Sequence, residues 1–467
     1  MTSKYKPAHE QTFEEAVAEF MDRCKESIGQ ERPEGVPPGP GTPYPWSEPP
    51  YEAAVRFDSR TIRRYAETRG DSNPLFTDPE YGKRTKYGCQ LAPNTMLICV
   101  RSPGGTGPNR PQGYPVGDFF SGLAWEFFDV NRVGDARFKH TKKTSEFFEK
   151  PGADRRLLFL IEEIKYWDAH GELRGKCYGN LILIPMSSMG SGRSMNVEKL
   201  GEQLLYTRKA SSYPQEENER IAAAIDAQVA RRRGADTLYW EDVEVGDKLG
   251  PMVHPPFTLQ DQIGGNTTAG AVGAQLWGAR QREAGEDMTW QGMFFEGPYH
   301  RNRKRPGGAG THPMTRWPWG PRDEHEDAVT APYRGQPMPF DSGQHRTQLP
   351  HRILSDWMGD DGFVRRYQAA LRRPVYYSDV ETYSGEVVKK FTEVQEGDSK
   401  PGGVPGKATY YAVGIKIEGT NQVGQTQLQG TATIYLPSRK DGPVKLPIPH
   451  AGNPPYVPYK KFYRDWY

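Results

Sequence analysis

Proton transfer near neutral pH needs a side chain that can hold and release a proton, and His325 is one such group, standing among Arg322, Asp323, Glu324, Glu326 and Asp327. An imidazole beside a carboxylate can take a proton from water or return one. Asp323 is the aspartate nearest to it on the N-terminal side, and Asp327 suits the cap of a following helix. A lone histidine among charges also reads as a solvated loop residue. A second polar run is Gly70-Asp71-Ser72-Asn73-Pro74-Leu75-Phe76-Thr77-Asp78. Asp71 and Asn73 are suited to capping a tight turn and the helix after it. Gly343 precedes a helical stretch, where free backbone N–H groups can face a developing negative charge, although a plain turn glycine fits equally. Two basic clusters, Arg301-Asn302-Arg303-Lys304-Arg305 and Arg365-Arg366 with Arg372-Arg373, can hold phosphates or an acidic protein surface, or simply face water. Cys24, Cys89, Cys99 and Cys177 lie far apart with no Cys-x-x-Cys pair, so neither a zinc module nor a disulfide framework is expected. A reducing cytoplasm and a chemistry without metal or cofactor follow as expectations.

These groups have to be positioned by a chain of 467 residues, 35% hydrophobic and 26% charged. That composition supplies one large core or two modest ones. The longest aliphatic runs, Leu157 to Ile161 and Leu181 to Ile184, are far shorter than the roughly 20 residues of a membrane-crossing helix. No membrane partner is expected, and Met1 to Phe20 lacks the continuous apolar stretch of a signal peptide. Lys plus Arg (61) against Asp plus Glu (59) leaves a net charge of +2, too balanced to suggest nucleic acid.

The order of parts suggests a duplication. Val133-Gly134-Asp135, a β-rich run Leu157 to Tyr166, a turn at Asp168 to Gly171 and a strand closing at Leu183-Ile184-Pro185 make the first series. Ser378-Asp379-Val380, a run Ala408 to Ile417, a turn at Thr420 to Gly424 and a strand closing at Tyr435-Leu436-Pro437 make the second. Helices are expected at Ser59 to Thr68 and His351 to Met358, one ahead of each series. A helix followed by long antiparallel strands gives an α+β class and a sheet wrapped around a helix, the hot-dog layout, in two tandem units. The boundaries that follow are 1–45 for a peripheral helix and Pro/Gly-rich arm and 46–190 for the first unit. A linker at 191–235 carries a helix over Glu216 to Arg233, and the second unit fills 236–467. The Gly-, Met-, Trp- and Arg-rich stretch Gly264 to Trp319 reads as an insertion shaping a pocket.

The run Gly70 to Asp78, with Gly88 and Leu91-Ala92-Pro93 after it, resembles the signature of MaoC-like enoyl-thioester hydratases and dehydratases, a Gly-Asp-x-Asn-Pro-Leu-His-x-Asp run followed by Gly and Ala-Pro. The resemblance spans most of residues 46–450, and the second half is similar to the double hot-dog relatives that include the dehydratase portion of large fatty-acid synthases. It implies water added to, or removed from, the β-carbon of an enoyl or 3-hydroxyacyl thioester on coenzyme A or a carrier protein. In the first half the position of the catalytic His holds Phe76, which carries no proton. Asp71, Asn73 and Phe76 are then a substrate-side wall. In the second half the pattern puts the surviving His on His325, ahead of Ala331, Gly335 and Pro337, while Gly320 stands where its partner Asp belongs. Asp323 becomes the candidate partner, Gly343 the donor to the thioester oxygen, and Arg303 and Lys304 the phosphate contacts. The alternative is a thioester-binding subunit that has lost its chemistry and works in a hetero-oligomer; a homo-oligomer is the other assembly expected.

Overall fold

The computed structural model describes residues 5–6, 11–30, 32–33, 56–103, 116–135, 138–151, 156–168, 170–185, 208–268, 325, 331, 336–400 and 402–458. Its helices are α1 (Phe13–Glu26), α2 (Ser59–Glu67), α3 (Pro74–Thr77), α4 (Pro79–Arg84), α5 (Gln215–Ala230), α6 (Leu259–Thr268), α7 (Gly343–Arg346) and α8 (His351–Met358). Its strands in chain order are β1 (Arg32–Pro33), β2 (Leu91–Ala92), β3 (Val116–Phe127), β4 (Asn131–Arg132), β5 (Lys139–Pro151), β6 (Arg156–Trp167), β7 (Leu173–Pro185), β8 (Lys248–His254), β9 (Phe363–Leu371), β10 (Glu381–Gly397), β11 (Gly406–Asn421) and β12 (Thr426–Leu436).

Ten strands form one antiparallel sheet in the order β1-β5-β6-β7-β3-β9-β12-β11-β10-β8. Read outward from the middle, β3-β7-β6-β5 on one side mirrors β9-β12-β11-β10 on the other. The two halves are therefore copies of one unit, joined edge to edge where Gly122–Glu126 pairs with Arg366–Ala370. The chain is a double hot-dog. At this seam Gly122 has φ +151°, and a Cβ on it would lie 2.3 Å from the Ala369 carbonyl oxygen, so only glycine lets the halves close.

The sheet curls around a core that runs through both copies, with Ile62, Tyr65, Leu97, Trp125 and Phe127 from the first and Leu249, Ile353, Leu354, Tyr367 and Tyr383 from the second. The second copy wraps α8. Its Ile353 and Leu354 face the sheet, and Gly359, with φ +69°, ends the helix. In the first copy the stretch with that place in the chain order is the 3-10 turn Asn94–Cys99, every residue of which is buried. Helix α2, capped by Asp58 as its sequence suggests, lies beside α3 instead.

Each end of the chain covers one face of the first copy's strands. Helix α1 is not peripheral: Ala16, Phe20 and Cys24, at a spacing of four, seal a patch made by Leu158, Leu160, Leu181 and Leu183. Beside that patch Lys142 lies 3.0 Å from Glu162, and on the opposite face runs a ladder of charges, with Lys143 to Glu163 at 2.7 Å, Lys176 to Glu163 at 3.4 Å and Lys176 to Glu126 at 3.3 Å. Burial pushes the Glu126 carboxyl up, but Lys176, Arg365 and Arg366 outweigh it and hold it below the usual range. The C-terminal segment covers the ladder: Lys165 donates to the Asn453 side chain at 2.6 Å and Lys176 to the Pro455 carbonyl at 3.0 Å. Arg365 and Arg366 are thereby drawn into internal pairs, with Glu126 and Glu393. This corrects the reading of those two as phosphate contacts, since a guanidinium already paired and buried cannot meet a ligand.

The helix expected over Glu216 to Arg233 ends earlier, at Ala230, because Arg232 and Arg233 turn away to bind the second copy. Among the described residues, no helix is long and apolar enough to cross a membrane.

Candidate functional site

In the first copy, Asp71 lies just after a left-handed turn at Gly70 (φ +67°) that follows α2. Its carboxylate accepts from the Asn73 N–H at 2.9 Å, and Asn73 caps α3 by accepting from the Leu75 N–H at 3.0 Å. Asp71 is buried, and burial together with the nearby Asp356 carboxylate pushes it up to about 6, against the pull of Arg352 and Arg232. Arg232 binds both copies: it donates to Asp356 on α8 at 2.6 Å and to the Ser72 carbonyl at 2.9 Å, and lies 3.9 Å from Asp71. These contacts fasten the linker to the joint between the halves. Phe76 is buried and lines a cleft with Asn73, Asn94, His351, Ser355 and Met358. The cleft, lined by residues of both copies, has a volume of about 30 Å³, room for a water or two. Asp71 is not among its lining residues.

The second copy gathers more chemistry. His325 is half-buried, its ring 4.4 Å from that of Phe340. Its Nδ1 lies 3.0 Å from the Phe340 carbonyl oxygen. A carbonyl can only accept, so Nδ1 is the donor, and in the neutral ring Nε2 holds the lone pair. The His325 carbonyl in turn accepts from the Tyr377 hydroxyl at 2.5 Å, and Tyr377 packs edge-on against Phe257. Ring and backbone are thus both held.

The next residue after Phe340 is Asp341, buried to 1% exposure. It exchanges hydrogen bonds with Val375, its N–H donating to the Val375 carbonyl at 2.9 Å and its Oδ1 accepting from the Val375 N–H at 3.1 Å. Arg346 places its Nε 2.8 Å from Asp341 Oδ2, but the N–H is not aimed at the oxygen, so the pair is an ion contact without a hydrogen bond. Glu381, also buried, accepts from the Tyr383 hydroxyl through one oxygen and leaves the other without a partner. Burial pushes Asp341 up to about 6, with Arg346 and His325 pulling against it and Glu381 adding to it. Glu381 is pushed up to about 7, chiefly by burial and against Arg346. Two further histidines are kept neutral nearby: burial lowers His254, and burial with Arg69 and His254 lowers His345 to about 3.

A carboxyl raised on folding destabilises the protein once it ionises. Glu381→Gln, which keeps the acceptor for Tyr383, is expected to unfold at a higher temperature than the wild type at pH 8. The advantage is full above pH 7, shrinks as the pH falls and vanishes near 4.5, the ordinary value for this side chain. Thermal melts of both proteins across that range check it.

Gly343 begins α7. The Ser342 N–H donates to Gln262 at 2.9 Å, while the Gly343 N–H has no partner among the described residues. A Cβ on Gly343 would lie 2.4 Å from Leu371 Cδ1 and 3.2 Å from Phe120 Cδ1. Gly343→Ala is therefore expected to force the Leu371 side chain aside at a cost of about 1–3 kcal/mol, read from the denaturant midpoint.

Of the residues singled out from sequence, His325 and Gly343 lie near Asp341 in one region, and Asp71, Asn73 and Phe76 in another. Asp323, Arg303 and Lys304 lie outside the described residues, as do the rest of the insertion from residue 269 and Asp327. Sequence reading did not single out Asp341, Arg346 and Glu381 as a cluster. The available signal was a charged residue at Asp341, directly after Phe340, and a second, Arg346, one helical turn beyond Gly343.

Residues 52–173 match the family described as the FAS1-like dehydratase domain region. A UPF0336 protein of Streptomyces avermitilis is 34% identical over 104 residues, which are 22% of this chain and 58% of that protein, so the match leaves much of the relative's length uncovered. A solved structure described as a MaoC-like dehydratase superposes with a TM-score of 0.51 at 15% identity, covering 88% of this chain and 99% of that one. A conserved hypothetical protein from Mycobacterium tuberculosis, described as having a double hotdog fold, gives a TM-score of 0.45 at 10% identity, covering 88% and 97%.

Proposed function

We propose that this chain, a relative of the MaoC-like dehydratases by its fold and by the sequence of its first half, is a thioester hydratase or dehydratase whose working site is in the second copy. The observation that carries this reading is the imidazole of His325, whose Nδ1–H is fixed on the Phe340 carbonyl so that a basic Nε2 faces away from it.

In the hydration direction Nε2 takes a proton from water as the water oxygen bonds to the β-carbon of a 2-enoyl thioester. The π electron pair moves onto the α-carbon and the thioester oxygen. The imidazolium then returns a proton to the α-carbon, leaving a 3-hydroxyacyl thioester and a neutral ring. Negative charge builds on the thioester oxygen meanwhile, and the Gly343 N–H is the donor we assign to it. Arg303 and Lys304 are the groups assigned to the phosphates of the thioester carrier. The acyl group is assigned to the side of the second copy, next to His325.

A second reading, a thioester-binding subunit without turnover, is favoured by one feature: Phe76 fills the first copy where the resemblance calls for a histidine. Purified protein mixed with a panel of 2-enoyl-coenzyme A thioesters separates the two. Loss of enoyl absorbance supports the hydratase. Binding of the thioesters without any loss favours the subunit reading.

A further inference from the structure

The cleft at the joint between the copies is bordered by polar groups that the described protein atoms leave unsatisfied. Asn73 and Asn94 come to it from the first copy, His351 and Ser355 from α8 of the second, and all four are buried. The Asn73 side-chain oxygen accepts from the Leu75 N–H, and that of Asn94 accepts from the Asn131 side chain at 3.4 Å, so both amide oxygens are in use. Neither amide nitrogen donates to a described residue. The His351 ring likewise makes no hydrogen bond to one, and is held by edge-on packing against Tyr367, with ring centroids 6.4 Å apart. None of these nitrogens is sealed in by protein, so each borders the cleft. Ser355 gives its hydrogen to the Arg352 carbonyl at 3.1 Å. Donors this deeply buried are expected to have partners, and the cleft is where such a partner would stand.

The lining narrows the chemistry of that partner. It includes no lysine or arginine, and its one carboxylate, Asp360, already accepts from the Tyr81 hydroxyl at 2.6 Å. An anion would therefore meet a like charge with no cation against it. Burial pushes His351 down to about 4, so its ring is neutral and offers one N–H and one lone pair. Amide hydrogens from two asparagines and an imidazole N–H suit an acceptor oxygen, while Phe76 and Met358 give apolar walls to the carbon that bears it. A volume of about 30 Å³ takes a carbonyl and little more. The remainder of the ligand would leave past Tyr87, the one half-buried residue of the lining. We propose that this cleft is a second binding site, for the uncharged carbonyl of a small acyl compound, an amide or a thioester, held by Asn73 and Asn94 of one copy and His351 of the other. The site concerns binding alone and does not rest on the hydratase reading, since His325 is not part of its lining.

The test uses the full chain with isotope-labelled histidine, and butyramide, S-ethyl thiobutyrate and butyrate as probes. His351→Gln identifies the His351 signals in the nuclear magnetic resonance spectrum. Butyramide or the thioester should shift those signals saturably, and butyrate should leave them in place. The probe that saturates at the lower concentration tells an amide source from a thioester source. Ala92→Leu fills the cleft with apolar atoms and Asn94→Leu removes one donor, and circular dichroism checks that each is folded. Asn94→Leu should weaken binding about two- to tenfold, the worth of one neutral hydrogen bond, and Ala92→Leu should weaken it more. Signals unmoved by both uncharged probes, moved as far by butyrate, or moved alike in the wild type and a folded variant would overturn the proposal. Saturable shifts in a protein silent on every enoyl thioester support the site and count against the hydratase reading alone.

Discussion

Replacing His325 by Ala is expected to lower kcat on 2-enoyl thioesters by about 10²–10⁴, the usual contribution of a placed general base, with the fold intact. The fold should survive because His325 is half-buried, its side chain makes one ring contact and one hydrogen bond, both to Phe340, and its backbone carbonyl bond from Tyr377 is kept by the substitution. Following enoyl absorbance in parallel for wild type and variant gives the ratio. Asp71→Ala is the informative companion. Its carboxylate serves the Asn73 turn and the Arg232 joint and does not line the first-copy cleft, so that variant should lose stability while an intact fraction keeps its kcat. The opposite pattern, with His325→Ala active and Asp71→Ala silent though folded, would move the site to the first copy.

Arg346→Met should be the most damaging single change to stability around the second-copy site, at about 3–5 kcal/mol, because it leaves two buried carboxylates without their shared cation. Both acids are buried: Arg346 lies 2.8 Å from Asp341, and it pulls Glu381 down as well. It also donates to the Arg373 carbonyl, which Met cannot replace. The sign with pH follows from linkage. Asp341 and Glu381 already sit at about 6 and 7 in the folded protein, and losing Arg346 raises both further. The variant can escape the unpaired charge only by protonating, so its deficit is greatest at pH 8 and shrinks as the pH falls through 7 and then 6. Denaturant midpoints at pH 8 and pH 5 measure the two ends.

The duplication was legible because the two copies kept their sequence of turns. The runs Leu157 to Tyr166 and Ala408 to Ile417 lie in β6 and β11, which occupy mirrored places in the sheet, and the segments closing at Pro185 and Pro437 end β7 and β12. Helices α2 and α8 were legible from periodicity. Three things were not. The burial of α1 depends on Leu158, Leu160, Leu181 and Leu183, more than a hundred residues away, and a short amphipathic helix does not announce its partner. Arg365 and Arg366 look like a surface pair in sequence, yet they sit on β9 in the middle of the sheet, where Glu126 reaches them from the adjoining β3 and Glu393 from β10, three strands along the curled sheet. The acids at Asp341 and Glu381 are 40 positions apart along the chain. Only the folding of β10 beside β8 and α7 brings them to one arginine, and no local spacing encodes that.

The mirrored sheet has a consequence for how such a chain tolerates change. With β3 and β9 paired across the seam, the molecule is a covalently tethered dimer, and natural selection acts on the pair as one unit. One lobe can drift while its twin holds its own set of side chains, as Phe76 in the first and His325 in the second illustrate. Neither lobe can be discarded, because its loss would strip hydrogen bonds from the surviving central strand and leave it open to self-association.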